Sequence, residues 1–360
     1  MSWHVLSSTY FDFDRFASES KADTLPQHLL PEIADRLNAP IHQPLAENLR
    51  RSDKVLSRLY GRPEHWALAR RVLEELSDGD AVYSAGCDSG IPLALRCALR
   101  RRNVAFAINF ADPSRVRARV LGWLIALTQL EVVAFVTTGH QAGLLEKSFG
   151  RRLHAVHVVE GQTDCAFFRP LPNKPVNDPP LVASCGVERR DYRTMAEALA
   201  EVPVKAVVCF ASPNQTSKTK YTVPEPPPEN FEFEPLDFQE LRGLYQRADV
   251  MVLPLLANRY SAGLTSLFEA IACGTPVVVS RSPGIIQQLI DEGLVLGVEQ
   301  GSQAAIREAV EEVLNQPEMA AKRAQAARQV VMTRYSASSL LSLLDGVLGK
   351  FSATLDSAAS

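Results

Sequence analysis

The sequence predicts an α/β protein of two doubly wound, Rossmann-like domains facing each other across a cleft. Three observations lead there. At 360 residues the chain has room for two domains of roughly 150 residues each. Short runs that are apolar throughout alternate with helical stretches, as in a parallel sheet covered on both faces. The alternation breaks at a proline-rich stretch and then starts again.

In the first half, residues 3–7, 81–84, 104–110, 132–136 and 155–159 read as strands. Between them, residues 63–76 carry Trp66, Ala69, Val72, Leu73 and Leu76 on one helical face, with Pro63 suited to the first helical position. The apolar stretch 120–136 contains Thr128, Gln129 and Glu131, so it reads as a buried helix running into a strand rather than a membrane span. Pro170, Pro172, Pro175, Pro179 and Pro180 cannot continue a helix or a central strand, which marks 171–180 as a linker. Beyond it, 181–185, 204–210, 249–253, 276–280 and 294–298 read as strands, and 191–201, 238–247 and 264–273 as helices. A second proline cluster, 224–228, reads as an extended loop. Helical patterns at 302–315, 317–335 and 338–348 follow, with a frayed end from 353. The expected organisation is a first domain over 1–170, the linker, a second domain over 181–335, a terminal helix over 336–350 and a tail over 351–360.

Composition narrows the function. The apolar fraction of 46% and charged fraction of 22% exclude disorder and a disulfide scaffold. A formal net charge of −3 argues against nucleic acid as the main partner. Residues 1–175 carry 22 Lys/Arg against 19 Asp/Glu, and the rest 16 against 22, so the first half is basic and the second acidic. The six cysteines stand singly, without zinc-like spacing, which fits a reducing compartment. The start, Met1-Ser2-Trp3-His4, has no basic region followed by an apolar core, so no secretory signal is expected and the expected location is cytoplasmic.

The strongest local signal runs from Asn258-Arg259-Tyr260-Ser261-Ala262-Gly263 through Leu264-Thr265-Ser266-Leu267-Phe268-Glu269 to Gly274-Thr275-Pro276. A glycine loop opens a short helix, which a Gly-Thr-Pro turn stops before a buried strand. Amides at Gly263, Leu264 and Thr265 would point at an anion, with the helix dipole behind them. Glu269, on an otherwise apolar stretch, suits a two-hydroxyl ligand such as a ribose, or is satisfied by backbone amides.

This segment resembles the donor-sugar motif of retaining, nucleotide-sugar-dependent glycosyltransferases of the two-Rossmann (GT-B) type, the E-x7-E or group 1 superfamily. Cys165-Ala166-Phe167-Phe168-Arg169-Pro170 and Tyr245-Gln246-Arg247-Ala248-Asp249 are similar to further elements of that family, in its order. The resemblance implies that Glu269 binds the nucleotide ribose and that the loop amides meet the diphosphate or sugar. It also implies that Arg190, with Arg189 as its neighbour, neutralises the diphosphate; a solvated charge run is the alternative. Arginine can fork onto two phosphate oxygens. Two departures stand out. The first motif glutamate is replaced by Ser261, or by Tyr260 if one residue is inserted. A family histidine after strand 104–110 is missing, with Asp112 next to its place. Asp112 is either a sugar- or acceptor-contacting group or a turn residue before Pro113.

Three other features have competing readings. Asp12-Phe13-Asp14 has the spacing of a divalent-metal motif, but no supporting sequence, and no metal or other cofactor is expected. Gly86-Cys87-Asp88-Ser89-Gly90 has the form of a hydrolase nucleophile elbow, yet no histidine follows His157, which favours a loop near an acceptor. Arg96, Arg100, Arg101, Arg102, Arg115, Arg117 and Arg119 form either a solvated face or a patch for an anionic acceptor or the inner membrane surface. The resemblance thus implies metal-independent, retaining transfer of a sugar from a nucleoside diphosphate to an acceptor, which could be a glycan, a lipid or a small molecule. The alternatives are a non-catalytic nucleotide-sugar-binding scaffold and a nucleotide-sugar epimerase.

Overall fold

A computed structural model describes residues 1–110, 122, 128, 130–149, 153–159, 161–211, 226–257 and 262–359. The chain separates into two compact units. One comprises 1–17, 28–160 and 341–360, the other 18–27 and 161–340.

The first unit is built on β1 (Trp3–Leu6), β2 (Ile41–His42), β3 (Ala81–Ser84), β4 (Ala105–Phe110), β5 (Val132–Val136) and β6 (Leu153–Val158). They form one parallel sheet in the order β2-β1-β3-β4-β5-β6. Its helices are α1 (Phe13–Lys21, which runs on into the second unit), α2 (Leu29–Leu37), α3 (Arg51–Leu56), α4 (Pro63–Glu75), α5 (Cys87–Leu99) and α6 (Gly139–Phe149). Central strands are apolar on both faces because helices cover both. Val82, Phe106, Ile108 and Val132 are fully buried, each contributing about 1.5–3 kcal/mol by leaving water.

The second unit contains β7 (Leu181–Cys185), β8 (Lys205–Ala211), β9 (Phe231–Pro235), β10 (Val250–Leu253), β11 (Val277–Ser280) and β12 (Leu296–Val298). All are parallel, in the order β12-β11-β10-β7-β8-β9. Helices α7 (Tyr192–Leu199), α8 (Phe238–Arg247), α9 (Leu264–Ala272), α10 (Ile285–Asp291), α11 (Gln303–Asn315) and α12 (Pro317–Arg334) connect or follow the strands. Both sheets are thus the doubly wound type expected from the alternation of apolar runs and helices.

Two strands escape the sequence pattern. β2 has two residues, too few for a period, and β9 alternates Phe with Glu as an edge strand does. The expected helix within 120–131 lies mostly outside the described residues. The proline-rich stretch is tied to the second unit, with Lys174 Nζ donating to Ala248 O at 2.7 Å and Asn177 Nδ2 to Asp249 Oδ2 at 2.8 Å. Segment 18–27 is held there by Asp23. Its carboxylate accepts from Arg169 Nη2 at 2.6 Å and Arg242 Nη1 at 2.9 Å, and these bonds keep it well below the usual carboxylate range.

The chain's end departs from expectation. α13 (Ala337–Ala359) continues past residue 353 as helix; Leu348 and Phe351 are buried, and the Phe351 ring lies tilted against that of His154 with centroids 5.2 Å apart. Among the described residues, no helix is long and apolar enough to cross a membrane.

Candidate functional site

In open α/β sheets, ligands bind beyond the carboxyl ends of strands where the strand order reverses. In the second unit that point lies between β7 and β10. The loop leaving β7 is set by backbone geometry. Gly186 takes φ 102° and Arg189 φ 55°, the left-handed region that glycine adopts without strain and arginine does not. The turn is clamped to the continuation of β10. Asp191 N–H donates to Pro254 O at 3.0 Å, and Leu256 N–H to Arg189 O at 2.9 Å.

This curl returns Arg190 beneath the loop, where it is only 5% exposed. Its Nε donates to Cys185 O at 2.8 Å, Nη1 to Glu188 O at 2.7 Å and Nη2 to Ser266 Oγ at 3.3 Å. Three of five guanidinium N–H donors are thereby engaged, so one on each Nη remains for an anion. The fit leaves no room for larger residues. A Cβ on Gly186 would overlap Arg190 Nη2, and one on Gly263 would lie 3.1 Å from Arg190 Nη1. Arg189, by contrast, is exposed.

After β10, Gly263 at φ 85° is the N-cap of α9 and supplies no side-chain cap. The first-turn amides at Leu264 and Thr265 therefore open toward the same edge, with the positive end of the helix dipole behind them. Ser266, in the first turn, receives Arg190. Glu269 lies three residues on, on the same face. The helix is stopped by Gly274 at φ 79°, with Thr275 N–H donating to Ala270 O at 3.1 Å and Thr275 Oγ1 to Tyr245 O at 2.6 Å.

Glu269 is 7% exposed, and the Tyr245 hydroxyl donates to its Oε2 at 3.4 Å. Burial pushes its carboxyl well above the usual glutamate range; the tyrosine hydroxyl opposes this weakly. A diol donating two hydrogen bonds would favour the ionised form and draw the proton away.

The structure therefore brings Arg190, Gly263, Leu264, Thr265 and Glu269 to one edge, with Arg189 exposed beside them. Asp112, Tyr260 and Ser261 lie outside the described residues. Sequence reading missed Gly186, Ser266 and Tyr245. A glycine directly after an apolar strand was the available signal for the first, and position within the glycine-led helix for the second.

In the first unit the reversal lies between β1 and β3. Loop 7–9 meets the start of α5, where Ser84 Oγ donates to Gly86 O at 2.8 Å and lies 3.1 Å from Ser89 Oγ. His65 Nε2 is 2.9 Å from Ser8 O, and its Nδ1 accepts from Arg62 N–H at 3.2 Å. Burial lowers the His65 pKa. Gly86 is extended at φ −163° and Asp88 is exposed in the first turn of α5, so the nucleophile-elbow geometry is absent. Asp12 of the D-x-D pair accepts from Arg15 N–H at 3.0 Å and caps α1. Among the described residues, no cluster of three His, Cys, Asp or Glu could hold a metal.

Known proteins resemble the chain in one segment and in fold. Residues 233–330 match the family model for glycosyl transferases group 1, a segment that contains Gly263 to Glu269 but not Arg190. Over 94 residues the chain is 39% identical to the glycogen synthase of Mycobacterium tuberculosis, and the match covers 26% of this chain and 22% of that protein. The chain is similar in fold to a sucrose-phosphate synthase from Thermosynechococcus elongatus, with TM-score 0.68 and 15% identity over 98% of this chain and 100% of the other. An α,α-trehalose-phosphate synthase from Burkholderia vietnamiensis gives 0.65 and 14% over 100% and 98%. Anabaena Alr3699/HepE, solved in complex with UDP-glucose, gives 0.64 and 12% over 97% and 100%. At these identities the likeness is one of fold. Segment 233–330 is thus similar to the group 1 glycosyltransferases, and the two doubly wound sheets have the two-Rossmann (GT-B) fold of the solved structures the chain resembles.

Proposed function

We propose that the protein transfers a sugar from a nucleoside diphosphate sugar to an acceptor, with retention of anomeric configuration and without a metal. The observation that carries this reading is the meeting of two positive features at the β7–β10 edge. Arg190 is a buried cation whose contacts are carbonyl oxygens and a hydroxyl, and it lies against the positive end of α9. A cation beside a helix N-terminus is electrostatically unfavourable until an anion neutralises both.

A departing diphosphate supplies that anion. Its negative charge grows as the bond to the sugar breaks, so Arg190, Arg189 and the amides at Gly263, Leu264 and Thr265 stabilise the transition state more than the bound donor. Glu269 accepts from the ribose hydroxyls. Retention follows if the acceptor enters on the face the diphosphate leaves. Asp112, Tyr260 and Ser261 are the proposed contacts to the sugar or the acceptor. The acceptor, whether glycan, lipid or small molecule, meets the edge between β1 and β3, where Ser8 is half-buried and Thr9 and Tyr10 are exposed. An anionic acceptor, or one held at a membrane surface, is consistent with the basic first half. The fold relative crystallised with UDP-glucose supports a uridine donor as the first to try.

Incubating the protein with UDP-, GDP- and ADP-glucose in the presence of a chelator tests this reading. The expected result is slow release of one nucleoside diphosphate, with α-glucose as the first anomer seen by NMR. Tight binding of a nucleotide sugar without release would favour the non-catalytic scaffold.

A further inference from the structure

A second basic feature lies in the first unit, on the outer side of its helix layer. A cavity of about 600 Å³ is lined by Arg50, Arg70, Arg96, Arg100, Arg102 and Glu74. It sits at the far end of the sheet from the β1–β3 reversal. α5 leaves the carboxyl end of β3 and ends at the amino end of β4, and Arg96, Arg100 and Arg102 are on its last turn and exit.

The cavity has a prepared floor. Asp53, fully buried, accepts from Arg70 Nη2 at 3.1 Å, Arg96 Nη2 at 3.1 Å and the Arg50 backbone N–H at 3.0 Å. Arg96 also lies over the Trp66 ring, 5.7 Å from its centroid. Each guanidinium is thus fixed by one Nη, which leaves Nη1 of both without a partner among the described residues. The Nε atoms of Arg70 and Arg96 are buried and unpartnered. Leaving buried donors unpaired costs stability and is uncommon in a merely structural ion pair. The charges do not cancel. Glu74 on the wall, Asp53 beneath and Asp78, 3.8 Å from Arg102, leave a surplus of two positive charges. Burial disfavours the charged form of Arg96; Asp53 opposes this, and Arg70, Arg100 and Arg50 add to it by repulsion.

We propose that this cavity binds the phosphate group of a phosphorylated small molecule. Arg70 Nη2 also donates to Asn48 O at 3.2 Å, so Arg70 offers Nη1 to a phosphate oxygen while Arg96 can fork onto two through Nη1 and the second Nη2 hydrogen, and the volume is that of a metabolite site. Its distance along the sheet from the β1–β3 edge makes it a regulatory or anchoring site rather than part of that edge. The proposal is independent of the donor-site reading.

Titration of the full chain with inorganic pyrophosphate tests it, comparing wild type, R50E/R100E and Arg190→Ala. Arg50 and Arg100 are exposed, so their reversal spares the fold; R50Q/R100Q gives a milder second variant. The expected result is affinity at least tenfold lower in R50E/R100E, an intermediate loss in R50Q/R100Q and no loss of that site in Arg190→Ala. Co-sedimentation with phosphatidic acid vesicles separates the sources. Vesicle binding lost in R50E/R100E, with no pyrophosphate binding, would overturn the small-molecule source in favour of a lipid headgroup. Binding lost only in Arg190→Ala, or no binding of either probe, overturns the site.

Discussion

The two strand-order reversals are built from different materials. At the β7–β10 edge a buried arginine, two glycines with positive φ and an uncapped helix start form a rigid, positive seat. At the β1–β3 edge the described residues include Ser8, Ser84, Ser89 and His65, and Arg62 there is paired with Glu64 at 3.2 Å. The two edges therefore suit different ligands. A diphosphate is the same in every donor and rewards fixed charge and fixed backbone. Ser84 and Ser89 are buried, and the half-buried Ser8 hydroxyl, which can rotate, suits a partner that offers both donors and acceptors.

Substituting the paired glycines breaks or confirms this contrast most sharply. Gly186→Ala forces Arg190 off Cys185 O and Ser266 and strains a φ of 102°. We expect nucleotide affinity to fall at least about a hundredfold and the second unit to lose about 2–4 kcal/mol in denaturant melts. Gly86→Ala meets Ser8 Oγ, which can rotate, at an extended φ. Its nucleotide affinity should change by less than about twofold. Equal losses from the two would erase the distinction.

Arg190→Ala should weaken nucleotide binding by about ten- to a hundredfold, since hydrogen bonds to charged groups contribute about 1.5–3 kcal/mol. Glu269→Gln is smaller and has a pH signature. The folded carboxyl is raised above its ordinary value of 4.5, so from that pH upward the unfolded chain gives up a proton that the folded one keeps. Stability therefore falls as pH rises through the interval up to the folded value. Glu269→Gln should remove that slope and raise stability at neutral pH, while nucleotide affinity drops by about tenfold. Wild-type affinity should rise with pH as Glu269 ionises, with proton release on binding seen by calorimetry in two buffers. The smallest effect belongs to Asp12→Ala, which removes a helix cap at a cost of about 1 kcal/mol. Loss of activity that is restored by Mn²⁺ would instead revive a metal role.

Legibility in the sequence follows the same contrast. Strands with apolar residues at every position, such as Val132–Val136 and Val250–Leu253, were readable because both faces are covered. The Gly263–Glu269 segment was readable because its glycine, helix start and lone carboxylate are adjacent in the chain. The role of Gly186 was not, since it depends on Arg190 curling back through a left-handed Arg189. The arginines at 96, 100 and 102 looked like one helical face, because their companions Arg50 and Arg70 come from the N-cap of α3 and from α4, and Asp53 is hidden beneath them.

On the proposed function, the β7–β10 edge seats a nucleoside diphosphate through Arg190 and α9. Calorimetric titration of UDP, GDP and ADP into wild type and Arg190→Ala, with chelator present, tests it most directly. The expected result is micromolar binding of one nucleotide, weakened at least tenfold in the variant. Binding equally tight in both proteins, or no binding of any of the three, would contradict it.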